Sequence, residues 1–220
     1  MLMRNTPIEY FIEGGRSRSG RLLPPKKGML AMTVQSHLRQ AGKPIVFIPT
    51  YIGYERIMEG GTYVGELKGK PKESESLLGL LKASRKIERI FGHVHVSFGQ
   101  PLYLADFMKK FDVAPNTLPK DRTDSDMPAN VTHMIDNLGI KIMQRINRSA
   151  VLNPVTLLSL VLLDTPHGAL DEQSCREQLA LYQRIAEKIP YDDDVSITQQ
   201  SPEAIINYGV KLKLIQRTPH

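Results

Sequence analysis

Apolar and polar positions give the chain two rhythms. Over residues 1–111 the apolar positions come in short runs, at 8–12, 45–48 and 93–98, bounded by glycine and proline, as buried strands are. Residues 29–40, between the first two runs, have helical spacing and stop at Gly42, Lys43 and Pro44. Strand, loop, helix, strand in that order predicts a βαβ unit, hence an α/β fold with a mainly parallel sheet and flanking helices. The run at 93–98 alternates strictly and ends in Gly99, Gln100, Pro101 and Leu102. Before it, Leu77, Leu78, Leu81, Ile87 and Ile90 recur at helical spacing among Lys82, Arg85, Lys86 and Arg89. That predicts a helix with a solvated basic face. The same face could lean on acidic lipid headgroups, where each basic residue contributes ~1 kcal/mol.

Beyond Phe111 the rhythm changes. Residues 112–129 are rich in Pro, Asp, Asn and Thr and read as a linker. Helices are predicted at 130–149, 154–163, 171–188 and 202–215, with Asp171 and Ser201 as N-caps and Pro202 in a first turn. The expected organisation is a core over 1–111, a linker over 112–129 and a helical segment over 130–220. The longest apolar run, 151–163, is interrupted by Asn153, Pro154, Thr156 and Ser159. Spanning a bilayer takes ~20 apolar residues, so a buried helix is expected here and any membrane contact is peripheral.

Composition adds little until charge is placed along the chain. Hydrophobic residues at 41% and charged residues at 24% describe an ordinary globular protein, and the single Cys175 leaves no internal disulfide or cysteine-cluster metal site. The opening residues carry no signal-peptide pattern, which favours the cytoplasm. The net charge of +6 is uneven: residues 1–120 hold 19 Lys/Arg against 10 Asp/Glu, and residues 121–220 hold 10 against 13. The first part is therefore expected to meet an anionic partner, a phosphorylated small molecule or a membrane surface. Nucleic acid fits poorly, with no tryptophan, 6% aromatics and no nucleic-acid module.

The candidate chemistry gathers behind the first predicted strand. Glu13, Gly14, Gly15, Arg16, Ser17, Arg18, Ser19, Gly20 and Arg21 combine flexible backbone with hydroxyls, three guanidiniums and a carboxylate. Glycines let main-chain N–H groups turn toward a ligand, and the guanidinium fork matches a phosphate oxygen pair. A second polar cluster, Tyr51 to Glu55, follows the second strand. Ligands collect at the carboxyl ends of strands in such sheets, so the two clusters mark a site. His93 and His95 share a strand face, but with no third ligand they read as exposed-face histidines. Asp192, Asp193 and Asp194 read as an exposed loop.

Three stretches in order, EGGRSRSGR at 13–21, IPTYIGYE at 48–55 and VSFGQPL at 96–102, resemble the second, third and fourth signature blocks of the bacterial membrane-associated glycerol-3-phosphate acyltransferases. The text at 33–38 and 61–76 is similar too, and weaker similarity continues to about residue 201. The resemblance implies a partial βαβ acyltransferase core that moves a fatty acyl group from acyl-CoA or acyl-carrier protein to the sn-1 hydroxyl of glycerol 3-phosphate, in phospholipid biosynthesis. It implies no cofactor or metal, and a peripheral place on the cytoplasmic face of the bacterial inner membrane. Glu13, Gly14, Gly15, Arg16, Ser17 and Arg18 would hold glycerol 3-phosphate. Tyr54 and Glu55 would complete the pocket wall, and Gly99 and Pro101 would shape the acyl-donor side. The family commonly has Glu where this chain has Gln100.

The first family block, a His-x-x-x-x-Asp pair whose histidine takes the proton of the attacking hydroxyl, has no counterpart. The nearest spacing, His167 with Glu172, lies in the helical segment and reads as coincidental. The chain is thus expected to be an interior slice of a longer enzyme, with little or no turnover alone. Two other readings share these residues: a non-catalytic peripheral module for anionic lipid headgroups, and an acyltransferase acting on another phosphorylated acceptor such as dihydroxyacetone phosphate.

Overall fold

The computed structural model describes residues 6–15, 21–40, 42–56, 92–119, 127–166 and 169–218. The basic helix expected at 75–91 lies outside them. The elements are α1 (Gly28–Arg39), β1 (Val46–Phe47), β2 (Thr50–Tyr54), β3 (Val94–Phe98), β4 (Leu102–Tyr103), α2 (Leu104–Lys110), α3 (Ala129–Arg148), β5 (Val151–Leu152), α4 (Pro154–Leu163), α5 (Glu172–Lys188), β6 (Ser196–Ile197) and α6 (Pro202–Lys211). This is a mixed α/β chain with helices following the strands. It separates into two units, one of residues 1–51 and 97–149, the other of residues 52–96 and 150–220.

The first unit is built on α1, α2 and α3. Leu30, Val34 and Leu38 recur every four residues on α1 and are fully buried, each stabilising the unit by ~1.5–3 kcal/mol. They join Leu104 and Met108 of α2 and Val131, Met134, Ile135, Leu138 and Ile142 of α3 in one core. Val113 and Leu118 are buried in that core as well. The stretch expected as a linker therefore packs at its start, and α3 belongs with the core rather than with the later helices. The reason is spacing: two apolar residues five apart suffice to pin a polar loop to a helical face.

In the second unit α4, α5 and α6 enclose Leu157, Leu158, Val161, Cys175, Leu179, Ile205 and Ile206. The caps are where the sequence places them. Asp171 Oδ1 accepts from Ser174 N at 2.9 Å, and Ser201 Oγ accepts from Ala204 N at 3.2 Å. Asn153 caps α4 in the same way, accepting from Thr156 N at 2.8 Å. Helix α6 lies so close to α4 that a Cβ on Gly209 would sit 2.4 Å from Leu158 Cδ2.

Two expectations about the strands are corrected. Residues 8–12 form no strand: Ile8 and Phe11 are exposed, and only Ile12 is buried, as a plug in the first unit's core. No neighbouring strand offers this segment a ladder among the described residues, and one anchoring side chain replaces it. The sheet is not mainly parallel either. β1 pairs antiparallel with β4, Val46 opposite Tyr103 and Phe47 opposite Leu102. β2 pairs with β3, and the bonds flanking them, Glu55 N to His93 O at 3.2 Å and Gly99 N to Pro49 O at 2.8 Å, run in opposite chain order, as in an antiparallel pair. The one parallel pair among the described residues is β5 with β6.

Candidate functional site

The glycine-arginine loop leaves the first unit's core through a pinned base. Gly14 turns the chain with φ +61°, in the left-handed region, and its N–H donates to Phe11 O at 3.0 Å. Twelve residues on, Lys26 N–H returns to Ile12 O at 2.7 Å. Inside that closure Glu13 Oε2 accepts from Leu23 N–H at 2.9 Å. The Lys26 stem lies against Gly14, where a Cβ would be 2.8 Å from Lys26 Cγ. The base of the loop is thus held by two cross-bonds and a buried side chain, while Gly15 and Arg21 are exposed. Arg16, Ser17 and Arg18 lie outside the described residues.

Gly99 and Pro101 belong to the same unit. A Cβ on Gly99 would meet Ser149 Oγ at 2.8 Å, Arg145 O at 3.2 Å and Pro49 O at 3.4 Å, so a side chain here would have to push Ser149 aside. The Arg145 guanidinium, in the last turn of α3, donates through Nη1 to Gln100 O and Pro101 O, each at 2.6 Å. Thus position 100 is held through its backbone carbonyl. Beside it lies an open groove of about 440 Å³, lined in part by Pro101, Tyr103, Phe107 and Ile140 with Lys110 and Lys141. Sequence reasoning missed Arg145, whose only signal is a cation near a helix carboxyl end.

Tyr54 and Glu55 belong to the second unit and differ sharply from each other. The Tyr54 side chain is exposed at the end of β2. The Glu55 side chain is 1% exposed and saturated with donors. Its Oε2 accepts from Tyr208 Oη at 2.5 Å and from the His93 backbone N–H at 2.7 Å. Its Oε1 lies 3.1 Å from His95 Nε2. Burial by itself would raise the Glu55 carboxyl. The hydrogen bonds from Tyr208, the His93 N–H and His95, with the charge of His93, outweigh it and hold the group below the usual glutamate value. Burial and the Glu55 carboxylate push the Tyr208 phenol well up, so its proton stays in place.

His93 completes this cluster. Its Nδ1 is 2.8 Å from Tyr208 Oη, and the two rings stack with centroids 5.6 Å apart and 23° between planes. The alternation of β3 is inverted from the usual sense. Val94, Val96 and Phe98 are exposed, and His95 faces inward to Glu55. The expectation of two exposed-face histidines holds for His93, with a side chain 68% exposed, and fails for His95 at 28%. A buried carboxylate explains the inversion, because imidazole can satisfy it and valine cannot. Tyr208 was missed because 153 residues separate it from Glu55. The described residues contain no group of three or more side chains suited to hold a metal ion, and no helix among them is long and apolar enough to cross a membrane.

Comparison with known proteins bears on both units. Residues 63–220 match the family model for the glycerol-3-phosphate acyltransferase C-terminal region, and residues 1–53 match an acyltransferase model. The chain is 43% identical over 214 residues to a glycerol-3-phosphate acyltransferase of Xanthomonas campestris pv. campestris, covering 97% of this chain and 24% of that protein. A protein of the same name from Pseudomonas fluorescens is 40% identical over 215 residues, covering 98% of this chain and 26% of its own length. One from Xylella fastidiosa is 41% identical over 214 residues, covering 97% and 25%. The chain spans about a quarter of the length of the curated relatives it matches.

Proposed function

The chain belongs to the glycerol-3-phosphate acyltransferase C-terminal-region family, and we propose that it is part of an enzyme that acylates the sn-1 hydroxyl of glycerol 3-phosphate for phospholipid synthesis. The acyl donor in this reading is acyl-CoA or acyl-carrier protein, and the enzyme works peripherally at the cytoplasmic face of the inner membrane. Glu13, Gly14, Gly15, Arg16, Ser17 and Arg18 form the phosphate grip. The guanidiniums pair with phosphate oxygens, and Glu13, which accepts from Leu23 N–H, also accepts from a glycerol hydroxyl. Gly99 and Pro101 shape the donor side, where the adjacent groove offers apolar lining beside Lys110 and Lys141. Tyr54 and Glu55 are the substrate-side residues of the third block. With its carboxylate buried, Glu55 acts through the side chains it holds.

The observation that supports this reading is the pair of bonds Glu13 Oε2 to Leu23 N and Lys26 N to Ile12 O, which tie together the described residues on either side of the arginine-rich stretch. Such a base lowers the ordering entropy that phosphate binding must overcome. Titration calorimetry of the chain with glycerol 3-phosphate tests it. Arg16→Ala is expected to weaken binding by ~10-fold or more, the worth of a charge-assisted bond. Unchanged affinity in that variant would remove the loop from the site. Acyl transfer by the 220 residues alone is expected to be negligible, since no His-x-x-x-x-Asp pair is present to accept the hydroxyl proton.

A further inference from the structure

Helices α2 and α3 of the first unit run antiparallel, as the bonds at their ends show. Asn130 Nδ2 donates to Asp112 O at 3.1 Å, joining the start of α3 to the end of α2. At the other end the Arg145 guanidinium holds Gln100 O and Pro101 O, just ahead of α2. Between these ties lies the groove of about 440 Å³, lined from both helices and of the size that small-molecule sites have. On α3 its lining runs from residue 137 to residue 145, one helical face over ~12 Å, so the groove is elongated. Phe107 and Ile140 supply apolar surface, and Ile140 is 52% exposed. Asn137 and Gln144 present amides that make no hydrogen bond among the described residues. Lys110 and Lys141 add two ammonium groups that form no ion pair among the described residues, although Asp106 lies in the same groove. Lys110 Nζ sits instead 5.4 Å from the centre of the Phe111 ring.

We propose that this groove holds the phosphorylated pantetheine arm of the acyl donor, the part that coenzyme A and an acyl-carrier protein share. This deepens the reading above and rests on it for the donor, and every residue it invokes belongs to the first unit. The three kinds of lining argue for the arm over its simpler rivals. A free phosphate would use the lysines alone, and a bare fatty chain only Phe107 and Ile140. The arm uses all of them: its phosphate meets Lys110 and Lys141, its amides pair with Asn137 and Gln144, and its methyl and methylene carbons lie on Phe107 and Ile140. It thereby gives a role to faces of α2 and α3 that lie beyond the sequence blocks.

The test is an NMR titration of the 220-residue chain, read at the backbone amides of α2 and α3. Pantetheine phosphate is expected to move the amides around Phe107, Asn137 and Lys141, and to bind roughly tenfold more tightly than pantetheine, the worth of two exposed ion pairs. Equal affinity for the two, or no movement in the groove, overturns the proposal. So does inorganic phosphate moving the same amides as strongly. Replacing both lysines, Lys110→Gln with Lys141→Gln, leaves the core untouched and is expected to erase the preference for the phosphorylated arm. A preference that survives that change overturns the assignment. Ile140→Ser is expected to weaken both ligands about fivefold through lost apolar contact. Coenzyme A and a holo acyl-carrier protein are then competed against pantetheine phosphate, and whichever displaces it is the source of the arm. Displacement by neither, or equally well by carrier protein without its arm, also overturns the proposal. Glycerol 3-phosphate, read at the amides of Glu13 to Gly15, separates the two ideas. If it moves them while pantetheine phosphate leaves the groove unchanged, this inference fails alone; if neither ligand moves anything, the acyltransferase reading fails with it.

Discussion

Glu13 and Glu55 both follow a short apolar run and precede a turn, and both fall in stretches that resemble acyltransferase blocks, yet the fold uses them in opposite ways. Glu13 is half-buried and, among the described residues, takes one hydrogen bond, from Leu23 N, on one oxygen. Glu55 is buried and takes three, from a tyrosine, a backbone amide and a histidine, on both oxygens. A carboxylate with an open oxygen can meet a ligand directly, whereas a saturated one can only orient what it holds. The same side chain, in similar local text, is thus the proposed contact residue in one unit and a keystone in the other. Burial makes the difference, because a buried charge tolerates no unfilled acceptor position.

The sharpest way to break this contrast is to remove each carboxylate. Glu55→Ala strands the His93 N–H, the His95 ring and the Tyr208 hydroxyl around a void, and is expected to destabilise the second unit by about 3–5 kcal/mol. Glu13→Ala should cost about 1 kcal/mol, one hydrogen bond at a partly wet loop base. Urea denaturation with hydrogen exchange as the unit-specific probe measures both. Equal losses would mean that the Glu55 network carries no special weight.

Two glycines sharpen the comparison at smaller cost. Gly92 has φ +77°, and a Cβ there would sit 2.7 Å from Glu55 Oε2 and 3.0 Å from Glu55 Cβ. Gly14 has φ +61°, and its Cβ would meet only the flexible stem of Lys26. Both alanine variants suffer from the left-handed backbone, but only Gly92→Ala must also push against a carboxylate locked by three donors. The expected losses are about 2–4 kcal/mol for Gly92→Ala and about 1–2 kcal/mol for Gly14→Ala.

The smallest effect is on acid stability. Glu55 has its carboxyl below the ordinary value in the folded chain, so its contribution is complete above the unfolded value near 4.5 and is lost as pH falls through the lower folded value. Glu172, held by Arg217 and Arg176, is lowered to about 2 and loses its contribution over the window between 4.5 and that value. Thermal melts between pH 6 and pH 2 (~ range set by the ordinary carboxylate values) should therefore show the second unit weakening with acid. Glu55→Gln should flatten part of that slope. An unaltered slope would show that Glu55 is not ionised in the folded protein.

Much of this molecule can be read locally. Helices α4, α5 and α6 start where Asn153, Asp171 and Ser201 cap them, and each cap bond spans only three residues. Such contacts form wherever the text occurs, which is why the two caps at Asp171 and Ser201 are legible beforehand. The turn at Gly14 is legible for the same reason, since its glycines are consecutive in the chain. The segment at 8–12 reads wrongly because apolar spacing shows what wants burial but not whether a strand is there to pair with it. The parallel sheet fails likewise: strand order along the chain does not say which neighbour completes a ladder.

The amino-acid order alone settles which family this chain joins and where its later helices begin, because those depend on side chains a few positions apart. Tertiary structure decides the exposure and the hydrogen-bond partners of each glutamate. Glu55 meets His95 across 40 positions and Tyr208 across 153, and Arg145 reaches Pro101 across 44. Hydrogen bonds over such separations form only after the helices and strands have packed, and burial then turns a soluble carboxylate into one that must be satisfied from every side.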